Sequence, residues 1–203
     1  MKILGLSCSP RKSGNTEILV SEALEGARKE GAEAELYSFS GKEIKPCDGC
    51  QSCIKTGKCH IKDDMQTVYQ KMIEADGIIF GTPVYFYSMA AQAKALIDRT
   101  YCLRRPDFKL VNKVGGVITV AGSLGRIDVL KDLYFNIAIN HMIPADYVAA
   151  SASEKGAVKK DEKAMKMAWE LGREMAQLTM TRFEFPREFI GRLSTYVADK
   201  YQL

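Results

Sequence analysis

The chain predicts an α/β fold, an open, parallel, doubly wound sheet of five strands in the order 2-1-3-4-5. Short apolar runs and amphipathic helical patterns alternate five times along the chain, the pattern of parallel strands covered by helices on both faces. Right-handed crossovers then leave 2-1-3-4-5 as the simplest order. The 203 residues, 46% hydrophobic and 27% charged, suffice for one domain with a substantial core. We assign residues 1–181 to this domain, with an inserted loop at 40–62 and a helical extension at 182–203.

Taken in order, Lys2 to Ser7 reads as a buried strand built on Ile3, Leu4 and Leu6. A polar loop follows, Ser7-Cys8-Ser9-Pro10-Arg11-Lys12-Ser13-Gly14-Asn15-Thr16, and then a helix with Ile18, Leu19, Ala23 and Ala27 at helical spacing. A strand, a hydroxyl-rich loop and a helix start in that order bring backbone N–H groups and side-chain donors to one point, which suits phosphate. Ser7, Ser9, Arg11, Ser13, Asn15 and Thr16 are the candidate donors. Neither G-x-G-x-x-G nor G-x4-G-K-[ST] occurs, so a dinucleotide fingerprint and a nucleotide-hydrolysing P-loop are excluded. A terminal phosphomonoester such as that of flavin mononucleotide (FMN) fits instead.

The second strand, about 34–39, runs into a stretch from Ser40 to Lys62 with no regular pattern, long for a connection inside a domain. Within it Cys47, Cys50, Cys53 and Cys59 are spaced C-x2-C-x2-C-x5-C, and Gly57 relaxes the longer gap. This spacing favours a cubane [4Fe–4S] cluster. A structural zinc site, which separates cysteine pairs by a longer knuckle, and metal-free thiols are the alternatives. His60 is a remote candidate ligand beside four thiolates.

Asp63-Asp64 start a helix whose apolar face is Met65, Val68, Tyr69, Met72 and Ile73. The third strand, Gly77 to Gly81, ends at Thr82-Pro83-Val84-Tyr85-Phe86-Tyr87-Ser88, a proline turn with aromatics. Backbone groups at such a turn can hydrogen-bond a flavin edge, with Tyr85, Phe86 and Tyr87 either covering its ring or capping the core. A helix through Ala93, Leu96, Ile97 and Tyr101 follows, with Cys102 read as an ordinary buried thiol. The fourth strand, Val114 to Val120, opens into Ala121-Gly122-Ser123-Leu124-Gly125, where Gly122 and Ser123 can approach a ligand with bare backbone. The next helix carries Ile127, Leu130, Leu133, Tyr134 and Ile137, with His141 structural at its end. A fifth strand within 145–150 and a helix over about 160–180 complete the sheet and its cover.

All four special loops follow strands one to four, so they gather at the carboxyl edge, where open α/β sheets bind ligands. Beyond Phe185-Pro186, a helical repeat of Phe189, Ile190, Leu193, Tyr196, Val197 and Tyr201 predicts an amphipathic helix for a subunit contact.

The net charge of +4 is mild and no basic run is interleaved with aromatics, which argues against nucleic acid. The first apolar run is too short for a signal peptide and no segment reaches membrane-spanning length. We therefore expect a cytoplasmic protein whose thiols stay reduced. No Ser-His-Asp or Cys-His pattern suggests a catalytic side chain.

Three motifs, Ser7-x-Ser9-Pro10-Arg11-x-x-Gly14-Asn15-Thr16, the cysteine motif, and Gly81-Thr82-Pro83-Val84-Tyr85, make the chain resemble the iron–sulfur flavoproteins. These are a branch of the flavodoxin-like, NADPH-dependent FMN reductase group. The resemblance covers roughly residues 1–150, and its specific part is the cysteine motif. It implies FMN held at its phosphate by Ser9, Arg11, Ser13, Asn15 and Thr16, with Pro83, Val84, Tyr85, Phe86, Gly122 and Ser123 along the flavin, and a [4Fe–4S] cluster on the four cysteines. It also implies a ferredoxin-like one-electron donor, a small acceptor such as dioxygen or peroxide, and homodimers or homotetramers that bring a cluster near another subunit's flavin. Two other functions fit the residues: an NAD(P)H-dependent FMN or quinone reductase with an incidental or zinc-binding cysteine loop, and a thiol or cluster redox sensor.

Overall fold

A computed structural model gives the fold, and the structure describes residues 1–191. Strand β1 (Lys2–Ser7) pairs in parallel with β2 (Glu33–Ser38) and with β3 (Gly77–Tyr85). β3 continues the sheet to β5 (Val114–Ala121), and β5 to β6 (Ile143–Ser151). The parallel strands therefore run β2-β1-β3-β5-β6, which is the predicted order. Their residues alternate between two cores, as the two-residue strand period requires. Ile3, Ile79 and Ile118 pack under α1 (Asn15–Lys29) and α7 (Glu162–Met180). Leu4, Ile78, Phe80 and Val117 pack on the opposite face. That face is covered by α3 (Met65–Glu74), α4 (Ala91–Arg99), α5 (Tyr101–Arg104) and α6 (Arg126–Ile139).

The proline turn differs from its sequence reading. Proline inside an apolar run reads as a strand end, yet β3 continues to Tyr85, and β4 (Ser88–Met89) folds back antiparallel against it. The Gly81 carbonyl faces β1, where it accepts the Cys8 N–H (2.8 Å). Two residues on, the Pro83 nitrogen faces the same side, past the end of β1, so no ladder bond is lost. Between β3 and β4 the tip residues Phe86 and Tyr87 both have positive φ, 44° and 70°. Two-residue hairpins favour that geometry, but with Asn or Gly rather than aromatics. Gly125 seats the tip, since a Cβ there would lie 2.7 Å from the Tyr87 carbonyl oxygen.

Beyond α7 the chain turns back across the amino edge. The Phe185 N–H donates to Asn112 Oδ1 (2.9 Å), and the ring of Phe185 stands edge-on to His141 (5.6 Å between centroids). His141 lies just past α6, and its Nε2 accepts the Gly191 N–H (3.3 Å). Burial, helped by Arg104, holds the imidazole pKa below its ordinary value, in keeping with an acceptor and with a structural role. Of the predicted C-terminal helix, Phe189 closes a 3-10 turn (Arg187–Phe189) and Ile190 is extended. Leu193, Tyr196, Val197 and Tyr201 lie outside the described residues. No helix among the described residues is long and apolar enough to cross a membrane.

Helices α1 and α7 meet backbone to backbone. A Cβ on Gly172 would stand 1.7 Å from the Ala23 carbonyl oxygen, and one on Gly26 would stand 2.0 Å from that of Trp169. Helix propensity would gain about 1 kcal/mol from Gly172→Ala, but the new methyl would meet backbone that cannot rotate away. We expect a net loss of about 1–3 kcal/mol, read as a lower urea midpoint. A midpoint at or above wild type would show that the helices part freely.

Cys8 and Cys102 are core residues, each 2% exposed, and burial pushes both thiols up, Cys102 to about 11. In metal-free native protein near pH 8 a thiol reagent should label the four loop cysteines quickly, and these two only after unfolding. Rapid labelling of all six would contradict the packing.

Candidate functional site

Two cavities carry the predicted residues. The first, of about 260 Å³, lies at the carboxyl edge of the sheet. Ser9, Arg11, Gly14, Asn15 and Thr16 line it from the loop after β1, Pro83, Val84 and Tyr85 from β3, and Val120 and Gly122 from β5. The Ser9 hydroxyl accepts the Arg11 N–H (3.2 Å), which folds the loop on itself. The Arg11 guanidinium sits 5.9 Å from the centre of the Tyr85 ring, a cation over an aromatic face. No side chain among the described residues caps α1, so its first-turn N–H groups keep their need for an acceptor. An uncapped helix start beside an arginine and hydroxyls is a built anion site. A flavin phosphate fits this donor set.

Not every predicted donor reaches the cavity. Ser7 is fully buried at the end of β1, and its hydroxyl has no partner among the described residues. Ser13 takes a positive φ of 52°, and its N–H is given to Glu17 (3.1 Å). The Asn15 amide is already engaged: Nδ2 donates to the Glu154 carbonyl (2.7 Å) and Oδ1 accepts the Val158 N–H (3.3 Å). It therefore works as a clasp between the loops after β1 and β6. Ser123 is outside the lining, and Phe86 is 96% exposed at the hairpin tip. The sequence reading missed Ala152, Ser153 and Lys155, which line the cavity from the loop after β6. Their signal was a serine-bearing stretch ending at Gly156 just past a parallel strand. Gly122 lies against Ser153, and a Cβ there would stand 2.7 Å from Ser153 Oγ, a hydroxyl that can rotate aside.

The second cavity, of about 240 Å³, is lined by Cys47, Cys50, Cys53 and Cys59. One helical turn, α2 (Cys53–Thr56), interrupts a loop expected to be irregular, and Gly57 ends it at φ 63°. That left-handed residue lets the chain double back to Cys59. Cys47 and Cys50 are exposed, while Cys53 and Cys59 are half-buried. The opposite wall is Asp98, Arg99, Tyr101 and Cys102 from α4 and α5. Four thiols around one cavity are a donor set for a metal cluster. His60 is drawn to a carboxylate instead: its Nε2 lies 2.7 Å from Asp48 Oδ2. The Cys50 N–H and His60 together hold the Asp48 carboxyl below its ordinary pKa.

Arg99 closes this site from within. Its side chain is fully buried and ion-paired with the equally buried Asp63. Burial alone would raise the Asp63 carboxyl, but Arg99 and the Lys45 N–H outweigh it and keep the group ionised. The two cavities have no lining residue in common. The cysteine loop and the loop after β1 leave the same sheet edge from neighbouring strands, yet the thiols turn away towards α4 and α5 and line a separate cavity.

Comparison with known proteins gives the family and the fold. The family model described as NADPH-dependent FMN reductase matches residues 1–171. An iron–sulfur flavoprotein of Methanocaldococcus jannaschii is 40% identical over 188 residues, covering 88% of this chain and 97% of that protein. Among solved structures, RosB with a bound formylriboflavin phosphate aligns at TM-score 0.74 and 18% identity, over 99% of this chain and 87% of that one. A flavodoxin, WrbA-like protein of Agrobacterium tumefaciens aligns at TM-score 0.60 and 19% identity, over 90% and 98%. The fold is flavodoxin-like, and the chain belongs to the iron–sulfur flavoproteins within the NADPH-dependent FMN reductase family, an FMN-dependent oxidoreductase.

Proposed function

We propose that this oxidoreductase is an electron-transfer flavoprotein that takes single electrons from a ferredoxin-like donor and passes them to a small acceptor, dioxygen or peroxide among them. The observation that carries the proposal is the gathering of four thiols around one cavity beside a buried arginine, in a chain whose other cavity suits a flavin phosphate. Cys47, Cys50, Cys53 and Cys59 would hold a [4Fe–4S] cluster. Ser9, Arg11 and Thr16 would hold the FMN phosphate, with Pro83, Val84, Tyr85 and Gly122 along the ring. When bound, the cluster supplies one-electron exchange and the flavin one- or two-electron exchange. The residues' part is to hold both groups and to present the thiol site to a partner. Five lysines against Glu43 and Asp48 within residues 40–62 favour an acidic protein donor. Because the two cavities share no wall, a homo-oligomer that sets one chain's thiols against another chain's flavin is the arrangement we favour.

Anaerobically purified protein should contain about four iron and four sulfide per chain, and Cys53→Ser should lose both while keeping FMN. Flavin without iron would remove the cluster, and flavin bleaching by NADPH as fast as by reduced ferredoxin would favour an NADPH-dependent reductase. Arg11→Ala should weaken FMN binding about 10- to 100-fold, since a charge-assisted hydrogen bond contributes roughly 1.5–3 kcal/mol. Titration of apoprotein with FMN reads this directly.

The strained tip gives a further test. Phe86→Asn with Tyr87→Gly should stabilise the apoprotein by about 1–2 kcal/mol per relieved residue. If the aromatic tip covers the flavin, the same change should weaken FMN about three- to tenfold. Stability gained with FMN affinity unchanged would place the aromatics outside the flavin site.

A further inference from the structure

We infer that Arg99 is the positioning residue of the thiol site, locking both ends of the cysteine loop and, through an N–H to the Cys59 sulfur, raising the retention and the reduction potential of the cluster. This rests on the cluster reading proposed above. The side chain is fully buried and spends its donors on one stretch of chain. Nη1 donates to the Lys45 carbonyl (3.1 Å), two residues before Cys47, and to the Asp63 carboxylate. Nη2 donates to the Ile61 carbonyl (3.4 Å), two residues after Cys59, and to Cys59 Sγ (3.6 Å). Nε donates to the Tyr69 hydroxyl (3.3 Å), which in turn donates to the Arg99 carbonyl (3.2 Å).

Only a planar fork of five donors can meet carbonyls on both flanks of the loop and a sulfur between them. Asp63 offsets the charge of the guanidinium at a distance, so what reaches Cys59 is chiefly the local N–H. An N–H directed at a cluster sulfur favours the more negative, reduced form and moves the potential upward. Partners that orient metal ligands also govern how firmly the metal is kept.

Two variants and one measurement on the wild type test this. Arg99→Lys keeps the charge opposite Asp63 but lacks the fork. The pair Arg99→Gln with Asp63→Asn removes both charges and leaves none buried alone. In holoprotein of either variant, folded by circular dichroism, iron loss to a chelator should indicate retention 10- to 100-fold weaker than wild type, with a lower cluster potential. Wild-type retention and potential in a folded variant would overturn the proposal. In wild-type protein grown on arginine labelled with nitrogen-15 in the guanidinium, pulsed EPR of the reduced cluster should show coupling to that nitrogen. Its absence would overturn the contact even if neither variant folds. If anaerobic wild-type protein holds no iron or sulfide, the cluster reading fails on its own. The locking role is then judged on metal-free protein by proteolysis within residues 40–62. Faster cutting in Arg99→Lys supports it, and an unchanged rate overturns it.

Discussion

The buried ion pair between Arg99 and Asp63 is the constraint on which the thiol site depends. Between β2 and α3 the chain has only one helical turn to order itself, so little in its own backbone fixes where the four sulfurs stand. A buried pair adds little net stability once desolvation is counted, but removing one partner strands a charge and costs about 3–5 kcal/mol. Such a pair selects one conformation more than it deepens the well. Here the selected conformation gathers Cys47 through Cys59 around one cavity, with Cys102 and Tyr101 behind them.

The parts of the fold that follow from periodicity were legible in the sequence. Ile3-Leu4 and Ile78-Ile79 announce strands buried on two faces, and the Met65, Val68 and Met72 spacing announces one helical face. The hairpin beyond Gly81 was not, because whether proline ends a strand depends on whether its missing N–H faces a neighbour, and that is decided by where β1 stops. Ser9, Arg11 and Thr16 could be read from their place between strand and helix. Asn15 could not be sorted from them, since its partners Glu154 and Val158 lie far along the chain. Arg99 carried no local signal. An arginine on a helix reads as solvent-facing until the fold brings an aspartate and two loop carbonyls to it.

The hairpin tip and the glycine contact show opposite uses of backbone. At Phe86 and Tyr87 the chain accepts left-handed conformations that aromatics disfavour, at about 1–3 kcal/mol each, and in return presents two large exposed rings at the hairpin tip. At Gly26 and Gly172 side chains are given up so that α1 and α7 can close over the sheet. One spends stability on a surface, the other spends side chains on stability.

The clasp made by Asn15 also orders events in time. The loop that opens the chain is fixed by residues 139 and 143 positions later, so it cannot take its final form on the ribosome until the segment after β6 has emerged. Domains that fold from their amino end during synthesis would here hold an unfinished first loop through most of translation. Capture of the flavin would then mark completion of the chain, and a chain truncated before Glu154 would lack both partners of the clasp however well its first strands had paired.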